Sequence, residues 1–386
     1  MHALQASAPL APRRSTRQIN LGAVAIGGDA PLAVQSMTTT DTRNVRSTVT
    51  QIRALARAGC EIIRVAVPDR AAALALQDIR RAIPIPLVAD IHFDHRLAIL
   101  ALRSGADGLR INPGNIGASW KIREVVQACR ERRVPIRIGV NAGSLEKKLL
   151  QQYGGATAQA LVASALEHAR LLEDLDYREI KLSVKAADVA RTVQAYRLLA
   201  QQTDYPLHLG LTEAGTFLPG SVRSVAALGI LLAEGIGDTL RISLTEPPRR
   251  EVQVGLELLR ALNLRPAGPR VVACPTCGRV QLDVMQLAHA LEEALGKLAA
   301  EFPKAVWPSV AVMGCMVNGP GEAREADIAV AGGRGRAALY LRGRYVKTVA
   351  EEAVLAVLVD YVRDFLRRPT KERSAACKLK PRPPKP

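Results

Sequence analysis

Three cysteines carry the most specific chemistry in the chain. Cys274 and Cys277 stand three positions apart in VVACPTCGRV (271–280), and Cys315 follows in MGCMVNGPGEA (313–323). A C-x-x-C pair is half of a metal or iron–sulfur site. On spacing alone zinc and an iron–sulfur cluster are equally served, but zinc ribbons usually close with a second such pair, and this chain has none. Three thiolates suit a cluster with one iron left to an oxygen ligand or to substrate, where it acts as Lewis acid and electron donor. Asn318-Gly319-Pro320-Gly321 is a turn-rich stretch that can bring backbone N–H groups close to sulfur. Glu322 comes seven residues after Cys315, and by spacing alone it reads as a solvated acid at a helix start. Cys60 and Cys129 read as core residues, and Cys377 as part of the tail.

A second set of residues is cationic. Arg64 in IRV, Arg110 in LRI, Arg137 in IRI and Arg241 in LRI are each flanked by branched apolar residues, and Lys185 closes EIKLSVK. One such arginine snorkels to solvent or finds an acid. Several at the ends of neighbouring strands do not, because an unpaired buried charge costs several kcal/mol. Strand alternation puts Arg110 with Asn112, Arg137 with Asn141, and Arg241 with Ser243 on common faces. The acids at the same level are Asp90 and Glu213, so five cations less two acids leave about +3. Arginine forks suit phosphate geometry, and the surplus asks for a multiply charged ligand, a diphosphate. In DIHFDHR (90–96) only Asp90 and His92 share a strand face. They are expected to hydrogen-bond substrate rather than bind zinc, with Asp94 as a helix N-cap.

The elements that would position these groups alternate regularly. Apolar runs at 32–37, 61–67, 86–91, 108–112, 135–141, 179–185, 207–213 and 239–244 are separated by helix-like stretches. In the first stretch Asn44 is the N-cap, Val45, Val49, Ile52 and Leu55 form the stripe, and Gly59 fits the C′ position. Eight such units over about 230 residues predict a (β/α)₈ TIM barrel. A doubly wound sheet would also alternate, but it lacks its phosphate-binding glycine fingerprint here. After LRPAGPR (264–270) a smaller α/β domain holds the three cysteines. The expected division is a flexible segment 1–20, a barrel 21–263, a cluster domain 264–368 and a disordered basic tail 369–386.

The chain has 386 residues and a formal charge of +17. Residues 367–386 contribute +7 (eight Lys/Arg against Glu372), and Arg13, Arg14 and Arg17 add +3, leaving 17 − 10 = +7 for the body. Aromatics are only 3%, which leaves few platforms for stacking bases, so the charge is not a nucleic-acid signature. No apolar run approaches the roughly 18 residues of a membrane span. Few cysteines in C-x-x-C grouping predict a soluble protein of the reducing cytoplasm. The basic, acid-free start is a little like a transit peptide but reads as a plain leader.

Longer stretches carry a resemblance. VQSMTTTDTRNV, DIHFDHR, LRINPGNIG, PIRIGVNAGSLEK, KLSVKAADV, LHLGLTEAG, EGIGDTLRISL, ACPTCGR and GCMVNGPGEA run from about residue 20 to 350. Together they resemble the 4-hydroxy-3-methylbut-2-enyl diphosphate synthase family, iron–sulfur enzymes of the non-mevalonate isoprenoid pathway. The resemblance implies a [4Fe–4S] cluster on Cys274, Cys277, Cys315 and the Glu322 carboxylate. It implies 2-C-methyl-D-erythritol 2,4-cyclodiphosphate as substrate, held by Arg64, Arg110, Arg137, Lys185, Arg241 and Ser243. Asn141 would support them, and Asn318 would lie beside the cluster. The reaction implied is a two-electron reductive ring opening with loss of water, for which Glu213 is the candidate proton donor. Reduced ferredoxin or flavodoxin would supply electrons to a homodimer in which the cluster domain of one chain closes the barrel of the other. The short junction at LRPAGPR fits the bacterial form, without the insertion of plant members. The alternative from the bare residues is a zinc-stapled barrel acting as a phosphate-ester hydrolase or an RNA-binding protein.

Overall fold

The computed structural model describes residues 10–265, 268–302, 305–317 and 319–368. The tail 369–386, with Cys377, and the site residue Asn318 lie outside them. Two compact units separate at Arg265.

The first unit is a parallel barrel. Its strands are β3 (Ala33–Met37), β4 (Ile62–Ala66), β5 (Leu87–Asp90), β6 (Gly108–Ile111), β7 (Ile136–Asn141), β8 (Ile180–Lys185), β9 (His208–Leu209) and β10 (Thr239–Leu240). They pair in chain order, and β10 returns to β3 through Thr239↔Ala33. A bridge between Leu182 and Leu207 joins β8 to the approach of β9 and completes the ring. This is the eight-unit barrel that the alternation predicts. The last two strands are shorter than the apolar runs suggest. The ladder ends at Leu209 and Leu240, just before Gly210 and Arg241, where buried cations begin to fill the barrel.

The intervening helices pack by their apolar stripes. Helix Val45–Arg57 starts where the Asn44 side chain accepts from Ser47 N, and it buries Val49, Ile52 and Leu55. Gly59 behind it has φ +100°, which a side chain would strain. Asp94 caps helix His95–Arg103 by accepting from Arg96 N, as the sequence suggests.

The segment expected to be a flexible leader is, over residues 10–20, bound to the barrel floor. Arg13 reaches the buried Asp238 carboxylate at 3.0 Å, Arg14 donates to the Tyr205 carbonyl at 2.6 Å, and Arg17 meets Asp204 at 2.7 Å. The basic residues find acids and carbonyls at the strand starts, which composition alone does not reveal. A hairpin of β1 (Ile19–Leu21) and β2 (Val24–Ile26) follows. Its Ile19, Leu21 and Ile26 pack on Ala33, Ile62 and Val88 at the starts of β3, β4 and β5, closing the floor.

The second unit is a five-stranded sheet of β11 (Arg270–Ala273), β12 (Ser309–Met313), β13 (Ile328–Gly333), β14 (Arg336–Leu341) and β15 (Arg344–Ala350), in that order. The first three are parallel, and the rest form an antiparallel hairpin. Helices Val284–Glu301 and Val354–Arg367 bury Leu291, Leu295 and Leu298, and Val354, Leu358, Val362 and Leu366, against the sheet. The i, i+4, i+8, i+12 spacing of the last four is one helix face. Each such side chain contributes about 1.5–3 kcal/mol on burial. No helix among the described residues is long and apolar enough to cross a membrane.

Candidate active site

Parallel register sets Asp90 beside Arg110 and Arg110 beside Arg137 at the C-terminal half of the barrel. That is the end at which barrel enzymes carry their chemistry. The Asp90 carboxylate, 5% exposed, lies 3.2 Å from Arg110 and 3.6 Å from Arg64. Burial alone would raise its pKa, but Arg64, a hydrogen bond from His92, Arg110 and Arg137 hold it well below the usual carboxylate range. His92 is half exposed and lies 3.7 Å from Asp90 and 3.4 Å from Arg110. Arg137 faces Ser183 Oγ at 3.4 Å, and Lys185 ends β8 in a buried position. Asn112, Asn141 and Ser243 follow or end β6, β7 and β10 at the same level, Asn112 fully buried and the other two half-buried.

Two glycines make room for this layer. A Cβ on Gly139 would stand 2.7 Å from Arg110 Nε, and one on Gly210 would stand 2.5 Å from Lys185 Nζ and 2.8 Å from the Arg241 carbonyl oxygen. Glycine inside a strand often marks such a close approach.

The second acid paired with the buried cations is Glu251, not Glu213. Glu251 is buried in the first turn of helix Pro248–Ala261 and pairs with Arg241 at 3.3 Å. Glu213 is exposed after β9 at φ +56° and forms no ion pair with a described residue. Five cations less Asp90 and Glu251 again leave +3 (5 − 2). Lys181 adds a further buried cation below them, opposite Arg137 in the register.

The electrostatic cost is visible in the cations themselves. Burial, and then repulsion from Arg137, Arg241, Arg64 and Arg110, pushes the Lys185 ammonium well below its ordinary pKa. Burial and then Arg64 and Arg110 do the same to Arg137. Arg64 falls to about 10 and Lys181 to about 7, each mainly through burial. Arg110 Nε and Arg137 Nε are buried without a hydrogen-bond acceptor among the described residues. Buried donors of this kind are normally satisfied, and a multiply charged anion is the kind of ligand that would suit this surplus of positive charge.

The cysteines gather at one edge of the second unit's sheet. Strands β11 and β12 run parallel with Ala273 opposite Val312, so Cys274 and Cys315 leave the sheet at the same end. Cys274 N donates to the Val312 carbonyl, and Gly314 N donates to Cys274 Sγ at 3.2 Å. The 274–281 loop is fastened to the Cys315 loop by Gln281 N donating to the Gly314 carbonyl at 2.7 Å. Cys277 is exposed and Cys315 half-buried. Glu322 ends a single helical turn, Gly319–Glu322, with its side chain exposed. That turn packs on β13 so closely that a Cβ on Gly319 would lie 2.9 Å from Ala331 Cβ. Among the described residues no three His, Cys, Asp or Glu side chains are gathered round a single-ion position. By its chemistry the thiol set would suit a larger cluster, with three thiols on two loops that are hydrogen-bonded to each other and one sulfur already accepting a backbone N–H.

Cys60 and Cys129 are buried in the barrel, and burial raises both thiols, that of Cys60 to about 12. They stay protonated and belong to the core, as expected. In DIHFDHR, Asp94 is spent on its helix cap and His95 lies 3.3 Å from Glu124.

Residues 16–256 match the GcpE TIM-barrel domain, and residues 270–364 match the GcpE protein C-terminal domain. The chain belongs to the GcpE family. It is 58% identical to 4-hydroxy-3-methylbut-2-en-1-yl diphosphate synthase (flavodoxin) of Geobacter sulfurreducens over 92% of this chain and 99% of that protein. The protein of the same name from Maridesulfovibrio salexigens is 54% identical over 92% of this chain and 98% of its own length. That from Thermodesulfovibrio yellowstonii is 50% identical over 91% and 99%. In this GcpE chain the structure brings Arg64, Asp90, His92, Arg110, Arg137, Lys185 and Arg241 into one mouth. It leaves Cys274, Cys277 and Cys315 on two loops at one end of the second unit's sheet, and joins Glu322 to none of them by a contact among the described residues. Sequence reasoning missed Glu251 and Lys181. Glu251 reads as an ordinary acid at a helix start, and Lys181 is one more polar residue in a strand. The glycines of PIRIGVN and LHLGLTE are the signal that could have pointed to crowded cations.

Proposed function

We propose that this chain is an oxidoreductase that opens 2-C-methyl-D-erythritol 2,4-cyclodiphosphate reductively to (E)-4-hydroxy-3-methylbut-2-enyl diphosphate. A ring C–O bond to phosphate breaks, a hydroxyl leaves as water, and two electrons and the balancing proton enter. The observation that carries the reading is the surplus of buried cations in the barrel mouth, two with unmet donors, in a chain of this family. Arg64, Arg110, Arg137, Lys185, Arg241 and Ser243 bind the diphosphate, with Asn112 and Asn141 beside them. Asp90 holds the Arg64 and Arg110 forks towards the barrel axis, and His92 reaches the substrate from the rim. The exposed Glu213 at the mouth delivers the proton.

Cys274, Cys277, Cys315 and Glu322 would hold a [4Fe–4S] cluster. A cluster held there would supply single electrons and a Lewis-acidic iron. Gly314 N–H, donating to Cys274 Sγ, stabilises the thiolate in that role. Flavodoxin, printed in the names of the relatives, is the reductant in this reading, with ferredoxin an equivalent donor. The enzyme works in the cytoplasm as a homodimer, the cluster domain of one chain closing the barrel of its partner.

Anaerobic reconstitution followed by a visible spectrum and iron, sulfide and zinc analysis tests the reading on wild type and Cys315→Ser. A broad band near about 400 nm with roughly four irons per chain, lost in Cys315→Ser, is expected. Colourless protein with one zinc per chain would sink it and favour the zinc-stapled barrel.

A further inference from the structure

The mouth contains one acid with no assigned part, Glu251. Its side chain is 4% exposed, and both oxygens are fully used. Oε1 accepts from Arg241 Nη2 at 3.3 Å and from Leu244 N at 3.0 Å. Oε2 accepts from Arg241 Nε at 3.4 Å and from Ser36 Oγ at 3.2 Å. One carboxylate therefore ties together β3, the helix Pro248–Ala261 and the backbone between β10 and that helix.

That backbone needs a tie. Strand β10 is only Thr239–Leu240, so Arg241 and Ser243 sit beyond the ladder. Beyond Arg241 N, which donates to the Leu209 carbonyl at 3.0 Å, the backbone is fixed at Thr245 N, which donates to the Gly215 carbonyl at 2.9 Å. Between them the Leu244 N–H donates, among the described residues, to Glu251. Arg64 and Lys185 are charged neighbours of the Arg241 fork, whose Nη1 otherwise faces Met37 Sδ at 3.9 Å. Without Glu251 the fork would be pushed outward by its neighbours.

We propose that Glu251 is a positioning residue that holds Arg241 and Ser243 in place for a diphosphate, without touching the ligand itself. The inference rests on the diphosphate reading of the mouth and adds to it. It also opposes simple electrostatics. A carboxylate beside an anion site repels the anion, so charge alone predicts tighter binding when Glu251 is neutralised, whereas positioning predicts weaker binding.

Inorganic pyrophosphate, titrated calorimetrically into the full chain, separates the two. Wild type, Glu251→Gln, Arg241→Ala and the double variant form a thermodynamic cycle. Glu251→Gln is expected to bind pyrophosphate about 10-fold more weakly, the scale of one charge-assisted hydrogen bond. In the Arg241→Ala background the same change is expected to cost clearly less, about 3-fold, the share that reaches Ser243 through Leu244 N. Equal or tighter binding by Glu251→Gln would overturn the inference. So would an undiminished loss in the Arg241→Ala background, since that marks a general structural role. Should Glu251→Gln not fold, Ser36→Ala removes only the tether to β3 and leaves Oε2 its Arg241 contact, and about 3-fold weaker binding is expected. Unchanged binding in that variant would overturn the inference. Wild type that ignores pyrophosphate would overturn the diphosphate reading itself, and this inference with it.

Discussion

Gly210→Ala tests whether the cation layer depends on the space that two glycines leave. The added Cβ would stand 2.5 Å from Lys185 Nζ, 3.0 Å from Lys185 Cε and 2.8 Å from the Arg241 carbonyl oxygen. The lysine tip is flexible, but it is buried and has Arg137, Arg241, Arg64 and Arg110 as charged neighbours, so a displaced ammonium meets repulsion. The carbonyl oxygen belongs to the backbone that carries Arg241, so a shift there moves a second cation. Overpacking of this kind costs about 1–3 kcal/mol of stability. Losing one charge-assisted contact costs a bound diphosphate about 1.5–3 kcal/mol, roughly 10- to 100-fold in affinity. Calorimetric titration with pyrophosphate and a thermal melt measure both effects on one sample. Gly229→Ala is the control. It lies in helix Phe217–Ala233, and its Cβ would meet only Leu258 Cδ1 at 3.7 Å. It should bind as wild type and melt no earlier, because alanine in a helix interior is favoured over glycine by about 0.8–1 kcal/mol. Pyrophosphate affinity in Gly210→Ala equal to wild type would refute the argument.

Other perturbations probe separate parts. Asp90→Asn leaves Arg64 and Arg110 buried without their shared acid, and should cost about 3–5 kcal/mol of stability near neutral pH by urea unfolding. Because the folded carboxyl is held below its ordinary pKa, this contribution is complete above about pH 4 and fades as pH falls further. The gap between variant and wild type should therefore narrow on acidification, and a constant gap would count against the pairing. Asp238→Ala removes the acceptor of Arg13, Thr16 Oγ1 and Leu207 N. A loss of about 3–5 kcal/mol is expected, and an unchanged urea midpoint would show that the N-terminal segment does not brace the floor. Gly314→Ala would press a Cβ to 2.7 and 2.8 Å from Val280 and Val284 and to 3.4 Å from Cys274 Sγ. Iron uptake on reconstitution should weaken by about 10-fold, as for other groups that orient a metal ligand, while wild-type iron content would contradict it.

The barrel was legible because its signals are local and repeated. Eight apolar runs, helix caps such as Asn44 and Asp94, and glycines after helices all agree with one architecture. The cysteines were legible because their spacing has few uses. The β1–β2 hairpin was not, since three-residue strands carry too little alternation, and its hydrophobic side chains matter only once the floor exists to receive them. Glu251 escaped for a related reason. Its partner Arg241 is ten residues away, but its third attachment, Ser36, is 215 residues away on β3. The ends of β9 and β10 were overrun because the apolar pattern continues past the point where buried cations interrupt the ladder.

The most direct test of the whole account is to follow phosphorus by NMR in an anaerobic mixture. It would contain the reconstituted chain, 2-C-methyl-D-erythritol 2,4-cyclodiphosphate and chemically reduced flavodoxin. The account predicts that the cyclic diphosphate resonances give way to those of a linear diphosphate ester with a terminal phosphate. Two electrons should be consumed per substrate, and Cys315→Ser should show no conversion. Release of inorganic phosphate, or ring opening that proceeds equally without reductant, would contradict it.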